Sequence, residues 1–149
     1  MIVTDATSAD LPALQRLLAL LFAQEAEFHP DPVRKEAGLS LILGRPETGT
    51  VLALRDNAGG EAVGTVGLLY TVSTFLGARV ALLEDLIVAP AFRGRGGGTL
   101  LLDAAIARAK AEGCRRITLL TDAGNEAAQA LYRSRGFLSS PMRPMRLAL

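Results

Sequence analysis

Residues 82–102 read LLEDLIVAPAFRGRGGGTLLL, and this stretch decides the fold. Its apolar run Leu86-Ile87-Val88 ends at Pro90, which is typical of a strand that is buried on both faces. After the glycines, a leucine-rich helical pattern covers residues 98–111. The sequence therefore predicts a strand, a glycine-rich turn and a helix, in that order.

Further strands and helices are predicted on both sides of this stretch. They are a strand at 1–4, a helix with apolar residues from Leu11 to Phe22, a helix at 33–43, strands at 50–55, 61–72 and 80–88, a strand at 116–121, a helix at 125–135 and a last edge strand at 142–149. Short turns between the middle strands predict an antiparallel meander, and the strand–helix–strand unit at 80–121 predicts a parallel pair. We therefore expect an α/β (α+β) fold with a mixed, mainly antiparallel sheet flanked by about four helices.

The length and composition indicate one soluble domain over residues 1–149. Half of the 149 residues are hydrophobic and 21% are charged, so the chain is neither disordered nor long enough for two ordinary domains. The longest apolar run, 17–23, is too short to span a membrane, and no basic segment followed by an apolar one opens the chain. We expect a cytoplasmic protein that does not bind a membrane.

Charge and residue usage exclude several kinds of site. The net charge is +1 and there are only seven Phe and Tyr and no Trp, which disfavours a nucleic-acid surface built on stacked aromatics. The chain has a single cysteine, Cys114, and a single histidine, His29. Since a zinc site needs about four ligands, no metal is expected.

The glycine-rich turn at 93–98 is a candidate anion site. Backbone amides at a helix N-terminus attract phosphate, and Arg93 and Arg95 can add charge-assisted hydrogen bonds. No Lys follows as in a Walker loop, and the dinucleotide fingerprint would require glycine at Thr99. The turn therefore indicates a pyrophosphate ligand; a glycine-rich connection with solvated arginines, or a nucleic-acid-binding segment, stays open.

Two motifs carry a resemblance to a known family. Arg93-x-x-Gly96-x-Gly98 resembles the acetyl-CoA signature Q/R-x-x-G-x-G/A of the GCN5-related N-acetyltransferase (GNAT) superfamily. The stretch Asn125-x-x-Ala128-x-x-Leu131-Tyr132-x-x-x-Gly136-Phe137 is similar to the second block of that family, and one strand separates the two blocks. The resemblance covers essentially the whole chain and implies a sheet of six to seven strands. At Gly97 the family usually carries Ile, Val or Leu, which predicts a looser helix start.

The resemblance implies transfer of an acetyl group from acetyl-CoA to an amine, by direct attack in a ternary complex. Acetyl-CoA is then the cosubstrate. The residues implied to hold the pyrophosphate are Arg93, Gly94, Arg95, Gly96, Gly98 and Thr99. The backbone of Ile87 and Val88 is implied to pair with the pantetheine amides, and Asn125 to contact pantetheine or substrate. As asparagine is also a favoured N-cap, both functions of Asn125 are open.

Tyr132 and Glu84 are the candidate catalytic residues. A tyrosine hydroxyl, with a pKa near 10, suits protonation of a leaving thiolate, although Tyr132 could instead only pack in the core. Glu84 and Asp85 are adjacent acids in an apolar strand, where alternation sends one to each face and burial raises the pKa of the covered one. We take Glu84 as the base that removes the amine proton, directly or through water. The alternatives are Asp85 or water as the base, or a purely structural role for both acids.

The acceptor is expected to be a small cationic amine. Leu-Glu-Asp-Leu-x-Val at 83–88 is similar to the histone- and polyamine-like branch of the family. Glu25, Glu27 and Asp31 would add acidic charge near the acceptor cleft, or else form a solvated helix end, and His29 is taken as a loop residue. Other hypotheses are an acetyltransferase for a protein amine or amino acid, and an acyl-CoA sensor without turnover. Because homodimers are usual in the family, the resemblance leaves a homodimer open.

Overall fold

A computed structural model describes residues 1–23 and 31–149. The strands are β1 Ile2–Asp5, β2 Gly49–Arg55, β3 Ala62–Ser73, β4 Ala78–Val88 and β5 Ile117–Leu119. The helices are α1 Leu11–Phe22, α2 Pro32–Leu43, α3 Gly97–Ala111 and α4 Glu126–Ser134, with single 3-10 turns at Ser8–Asp10 and Pro90–Phe92.

The strands form one sheet in the order β1-β2-β3-β4-β5. The first four are antiparallel to their neighbours, while β4 and β5 run parallel and pair over Ala81–Leu83 and Ile117–Leu119. The predicted meander, the predicted parallel pair and the four flanking helices are thus confirmed. The described residues form five strands, fewer than the expected six or seven.

The predicted edge strand at 142–149 is the missing one. Residues 138–149 form neither helix nor strand, and all of them are exposed. Pro141 and Pro144 lack the amide hydrogen that a strand ladder needs, so pairing is interrupted at the start of this segment.

Helices cover both faces of the sheet. Leu101 and Leu102 of α3 are fully buried against one face, together with Leu54 of β2. Leu14 and Leu17 of α1 are buried against the opposite face. Neighbouring residues of β4 divide in the same way: Val88 joins the α3 cluster and Ile87 the α1 cluster. The predicted burial of this strand on both faces is confirmed.

A buried ion pair ties the start of α1 to the end of β2. The backbone amide of Thr7 donates to Asp10 Oδ2 (2.9 Å) in a capping box, and Arg55 lies 2.9 Å from Asp10 Oδ1. Burial alone would raise the pKa of Asp10, but the hydrogen bonds from Thr7 and Arg55 outweigh it and hold that pKa below its usual 3.8.

The ion pair predicts a pH-dependent contribution to stability. Asp10→Asn should lower the free energy of unfolding at pH 7 by about 3 kcal/mol, because the buried Arg55 loses its countercharge. Since the native pKa is lowered, the contribution is present above the usual aspartate value and is lost as the pH falls below it. Urea titrations from pH 7 to pH 2.5 should show the two proteins converging in acid.

Asp5→Asn is the matched control, because Asp5 forms an exposed ion pair with Arg108 at 2.5 Å. Its effect should stay within about 0.5 kcal/mol. If Asp10→Asn proves as mild as this control at pH 7, the buried pair does not anchor α1.

Candidate active site

The strands β4 and β5 separate after a short pairing. Beyond Leu83 and Leu119, the outer edge of β4 has no neighbouring strand among the described residues. A cavity of about 150 Å³ opens there. It is lined by Leu21, Leu83, Glu84, Asp85, Leu86, Leu120, Thr121, Asp122, Asn125, Ala128, Leu131 and Tyr132.

A β-bulge in β4 accounts for the separation. Thr65 pairs with Ile87, and Gly67 pairs with Glu84. Val66, the single residue between Thr65 and Gly67, therefore lies opposite two residues of β4, Asp85 and Leu86. Asp85 has φ +57°, in the left-handed region, where a non-glycine residue costs roughly 1 kcal/mol or more. A bulge bends its strand and increases the local twist, which carries the end of β4 away from β5.

The bulge brings acidic side chains to one place. The expectation that alternation sends Glu84 and Asp85 to opposite faces is wrong, because the extra residue breaks the alternation and both line the cavity. Glu84 is exposed and Asp85 is half-buried. Asp122 is a third acid in the lining, and no basic side chain is among the described lining residues. Sequence reasoning missed Asp122, although it follows a strand parallel to β4, and the ends of parallel strands meet at one edge.

Tyr132 brings a hydroxyl group to the same cavity. Its side chain is 9% exposed and its ring packs 5.9 Å from that of Phe137, so part of the core-packing interpretation holds. Burial raises the pKa of Tyr132 above its usual value. The Tyr132 hydroxyl forms no hydrogen bond with any residue in 1–23 or 31–149. Every fully buried side-chain oxygen in these ranges has a hydrogen-bond partner. The hydroxyl oxygen is therefore not fully buried, and Tyr132 is among the residues that line the cavity.

Asn125 lies at the start of α4 and serves as its N-cap. Its Oδ1 accepts a hydrogen bond from the amide of Ala128 at 3.1 Å, which confirms the capping interpretation, and its side chain also lines the cavity. Gln129 Nε2 donates to the carbonyl oxygens of Asp122 (2.9 Å) and Ala123 (3.0 Å). The loop that carries Asp122 is thereby fixed to α4.

The glycine-rich turn presents hydrogen-bond donors on an open surface. Gly94 and Gly96 have φ +73° and +80°, which side chains rarely adopt, and apart from the adjoining residues no atom of the described part of the chain lies within 4 Å of a Cβ built on either. The first intrahelical hydrogen bond of α3 runs from the amide of Leu100 to the carbonyl of Gly96 (3.0 Å). The amides of Gly98 and Thr99 precede it and belong to the first turn, which lacks intrahelical acceptors. This turn fits an anion.

The two arginines of the turn differ in their contacts. Arg93 Nε donates to the carbonyl of Val88 at 3.0 Å, so this side chain folds back onto the end of β4. Arg95 pairs with Asp56 at 2.8 Å and lies 5.6 Å from the centre of the Phe92 ring. Because Arg95 is half-exposed, a bound phosphate would compete with Asp56 for its guanidinium group.

Gly97 packs closely against β2 at the start of α3. A Cβ at this buried position would lie 2.6 Å from Leu54 Cδ2, so the end of that buried leucine side chain would have to shift. The looser helix start expected from Gly97 stays a prediction. The helix also begins at this residue, one position earlier than predicted.

Of the remaining predicted acids, Asp31 lies in the described residues and is not among those that line the cavity. Asp31 caps α2 by accepting hydrogen bonds from the amides of Val33 (3.0 Å) and Arg34 (3.3 Å). Glu25, Glu27 and His29 lie outside the described residues. Within the described ranges, no three His, Cys, Asp or Glu residues are grouped so as to hold a metal ion. Nor has any helix there the length and apolar character to cross a membrane.

Comparisons with known proteins agree on one family. The model of the Acetyltransferase (GNAT) family matches residues 12–137. An uncharacterized N-acetyltransferase of Bacillus subtilis (strain 168), YhfO, is 31% identical over 135 residues, which are 91% of this chain and 88% of that protein. A putative acetyltransferase from Agrobacterium tumefaciens str. C58 superimposes with a TM-score of 0.81 at 26% identity, over 99% of this chain and 100% of that one.

A second solved structure, of a probable acetyltransferase, supports the fold alone. It superimposes with a TM-score of 0.85 at 24% identity and covers 100% of this chain and 98% of its own.

Proposed function

The chain belongs to the GNAT family and is an acetyl-CoA-dependent N-acetyltransferase, and from this premise we propose that it acetylates a small cationic amine, such as a polyamine or diamine. The observation that carries the proposal is the cavity beside the bulge. Three acids, Glu84, Asp85 and Asp122, are among its lining residues, and so is Tyr132. Carboxylates attract a cation, and a hydroxyl can donate a proton.

The proposed cosubstrate site joins the glycine turn to the free edge of β4. The backbone donors of the turn, with the Arg95 guanidinium, would hold the pyrophosphate. Beyond Leu83 no strand among the described residues pairs with the outer edge of β4, so the backbone of Ile87 and Val88 is available to the pantetheine amides, with Asn125 also in the cavity lining. Because Arg93 already occupies the carbonyl of Val88, we assign these contacts mainly to the groups before it, including Ile87. Acetyl-CoA supplies the reactive thioester.

Glu84 is proposed to take the amine proton. An amine with a pKa of about 10.4 is neutral in only about one molecule per thousand near pH 7.4, so it must lose a proton before it attacks. The Glu84 carboxylate lines the cavity and is exposed, which lets it pass the proton on to solvent, directly or through water. Asp85, beside it at the bulge, is the alternative base.

Tyr132 is proposed to protonate the leaving thiolate. The ordinary pKa of a tyrosine is near 10 and burial raises the pKa of Tyr132 further, so the hydroxyl is protonated at neutral pH and can donate. The contact with Phe137 fixes the ring, so the hydroxyl is held at one position in the cavity. Proton donation at the phenolic oxygen would complete the transfer.

The same acids favour a cationic acceptor over an amino acid. Three carboxylates around a cavity of about 150 Å³ attract an ammonium group and repel the carboxylate of a free amino acid. A pure acyl-CoA sensor would need neither an exposed carboxylate nor a proton donor there. A protein amine as acceptor is distinguished by the substrate panel below.

Replacing the two proton-handling groups should slow turnover without abolishing cosubstrate binding. Tyr132→Phe keeps the ring packing but removes the proton donor, so kcat should fall by about 10²–10⁴-fold with acetyl-CoA affinity nearly unchanged. Glu84→Gln should lower kcat/KM and move its rising pH limb towards the pKa of the acceptor amine. The measurement is thiol release from acetyl-CoA with a saturating diamine, together with calorimetric binding of CoA.

Two variants serve as controls. Tyr70→Phe removes a hydroxyl that bonds Thr50 at 2.9 Å outside the cavity lining, and Glu126→Gln removes an exposed acid of α4. Both should keep wild-type kcat. A wild type that binds CoA and releases no thiol with any amine would favour the sensor, and a fully active Tyr132→Phe would leave Tyr132 as a packing residue.

A substrate panel tests the acceptor. Diamines and polyamines should have a higher kcat/KM than monoamines, and free amino acids the lowest. Asp122→Asn should raise the KM for a diamine about tenfold with little change in kcat, since charge attraction to the bound cation is uniform binding. Asp103→Asn, an exposed acid of α3 that pairs with Arg135, should change neither constant. A preference for anionic acceptors or for a peptide amine would refute the acceptor class while leaving the acetyltransferase assignment intact.

A further inference from the structure

The loop between β5 and α4 forms one side of the cavity. Residues 120–125 join β5 to α4, and four of them are among the lining residues: Leu120, Thr121, Asp122 and Asn125. All six loop residues are exposed. Because core packing contributes little to an exposed loop, the conformation of this one depends on hydrogen bonds.

The side chain of Gln129 holds the middle of the loop. Its Nε2 donates to the carbonyl oxygens of Asp122 (2.9 Å) and Ala123 (3.0 Å), so both hydrogens of the amide group have an acceptor. Its Oε1 accepts a hydrogen bond from Arg133 Nη1 at 3.3 Å, one turn further along α4. Gln129 is not among the described residues that line the cavity, so its effect on a bound ligand would pass through the loop.

A second set of hydrogen bonds forms the end of the loop. The amide of Asn125 donates to the carbonyl of Asp122 at 3.0 Å, and Asn125 Oδ1 accepts from the amide of Ala128 at 3.1 Å. These contacts fix the turn that enters the helix. The two bonds from Gln129 instead reach back along the loop from inside α4. The position of Asp122 relative to Tyr132, which lies on the same helix, therefore depends on Gln129.

We propose that Gln129 is a positioning residue for the acceptor, which sets where the Asp122 carboxylate meets the second ammonium group of a diamine. This role rests on the proposed acceptor class. Glu84 and Asp85 line the cavity from β4, while Asp122 lines it from the loop after β5, so the two ends of a diamine can meet acids from different segments. Attraction between two charges falls as their separation grows, so a shift of the loop weakens binding of the second ammonium group.

Removing the two donors of Gln129 should weaken the binding of diamines specifically. Gln129→Met keeps the length and the apolar stem of the side chain. It should raise the KM for a diamine about three- to tenfold with kcat nearly unchanged, because the lost attraction is uniform binding. The KM for a monoamine of the same chain length, which has no second ammonium group, should change by less than about twofold. The monoamine reaction also reports that the variant is folded and active.

Gln15→Met is the matched control. Gln15 is likewise a half-buried glutamine on a helix, and its Nε2 donates to Glu36 of α2 at 3.1 Å. Neither residue is among those that line the cavity in the described part of the chain. Gln15→Met should therefore leave the KM values for both amines at the wild-type level.

A double-mutant cycle with Asp122→Asn separates this role from a general effect on α4. If Gln129 acts by placing the Asp122 carboxylate, Gln129→Met should raise the diamine KM no further once residue 122 is neutral. Suppose that Asp122→Asn alone raises the diamine KM. An unchanged diamine KM in Gln129→Met, equal increases for diamine and monoamine, or increases that multiply in the double variant would then overturn the role of Gln129 and leave the acceptor class standing. An unchanged diamine KM in Asp122→Asn would instead refute the acceptor class, and this role with it.

Discussion

The extra residue in β4 is the constraint on which the site depends. Two residues, Asp85 and Leu86, are accommodated opposite one residue of β3, and Asp85 takes a left-handed backbone conformation to allow it. β5 pairs with β4 only as far as Leu83, and the cavity lined by Glu84 and Tyr132 opens beyond that point. Strained backbone of this kind persists where surrounding packing fixes it, and it is concentrated at functional sites.

Packing on both faces keeps the bulge in place. Leu83 and Val88 are buried with α3, and Ile87 is buried with α1, so the residues on either side of the bulge cannot shift register without exposing apolar surface. The glycine turn follows directly, and Leu54 packs closely against Gly97 at the start of α3. The same core thus sets the distance between the free strand edge and the helix N-terminus, which a ligand spanning both would have to match.

Features coded by a few neighbouring residues were predictable from the sequence. The strand–turn–helix at 82–102, the capping residue Asn125 and the core contact of Tyr132 fall in this class, because local spacing determines them. The bulge, the third acid Asp122 and the Leu54–Gly97 contact were not, because each depends on the register between segments that are distant in sequence. The C-terminal strand was wrongly predicted, since Pro141 and Pro144 interrupt the pairing that its alternating pattern indicates.

The most direct test of the account is amide hydrogen exchange with and without acetyl-CoA. The account predicts slower exchange in two places only: the outward amides of β4 from Glu84 to Val88, and the amides of residues 97–99. Gly98→Val should abolish both effects, since a side chain there meets Leu131 at an ordinary 3.5 Å and leaves the fold intact but blocks the close approach of a phosphate. Gly38→Val, on exposed α2, is the control and should retain them. Protection elsewhere in the chain, or equal protection by NAD or ATP, would contradict the assignment of this edge and turn as the cosubstrate site.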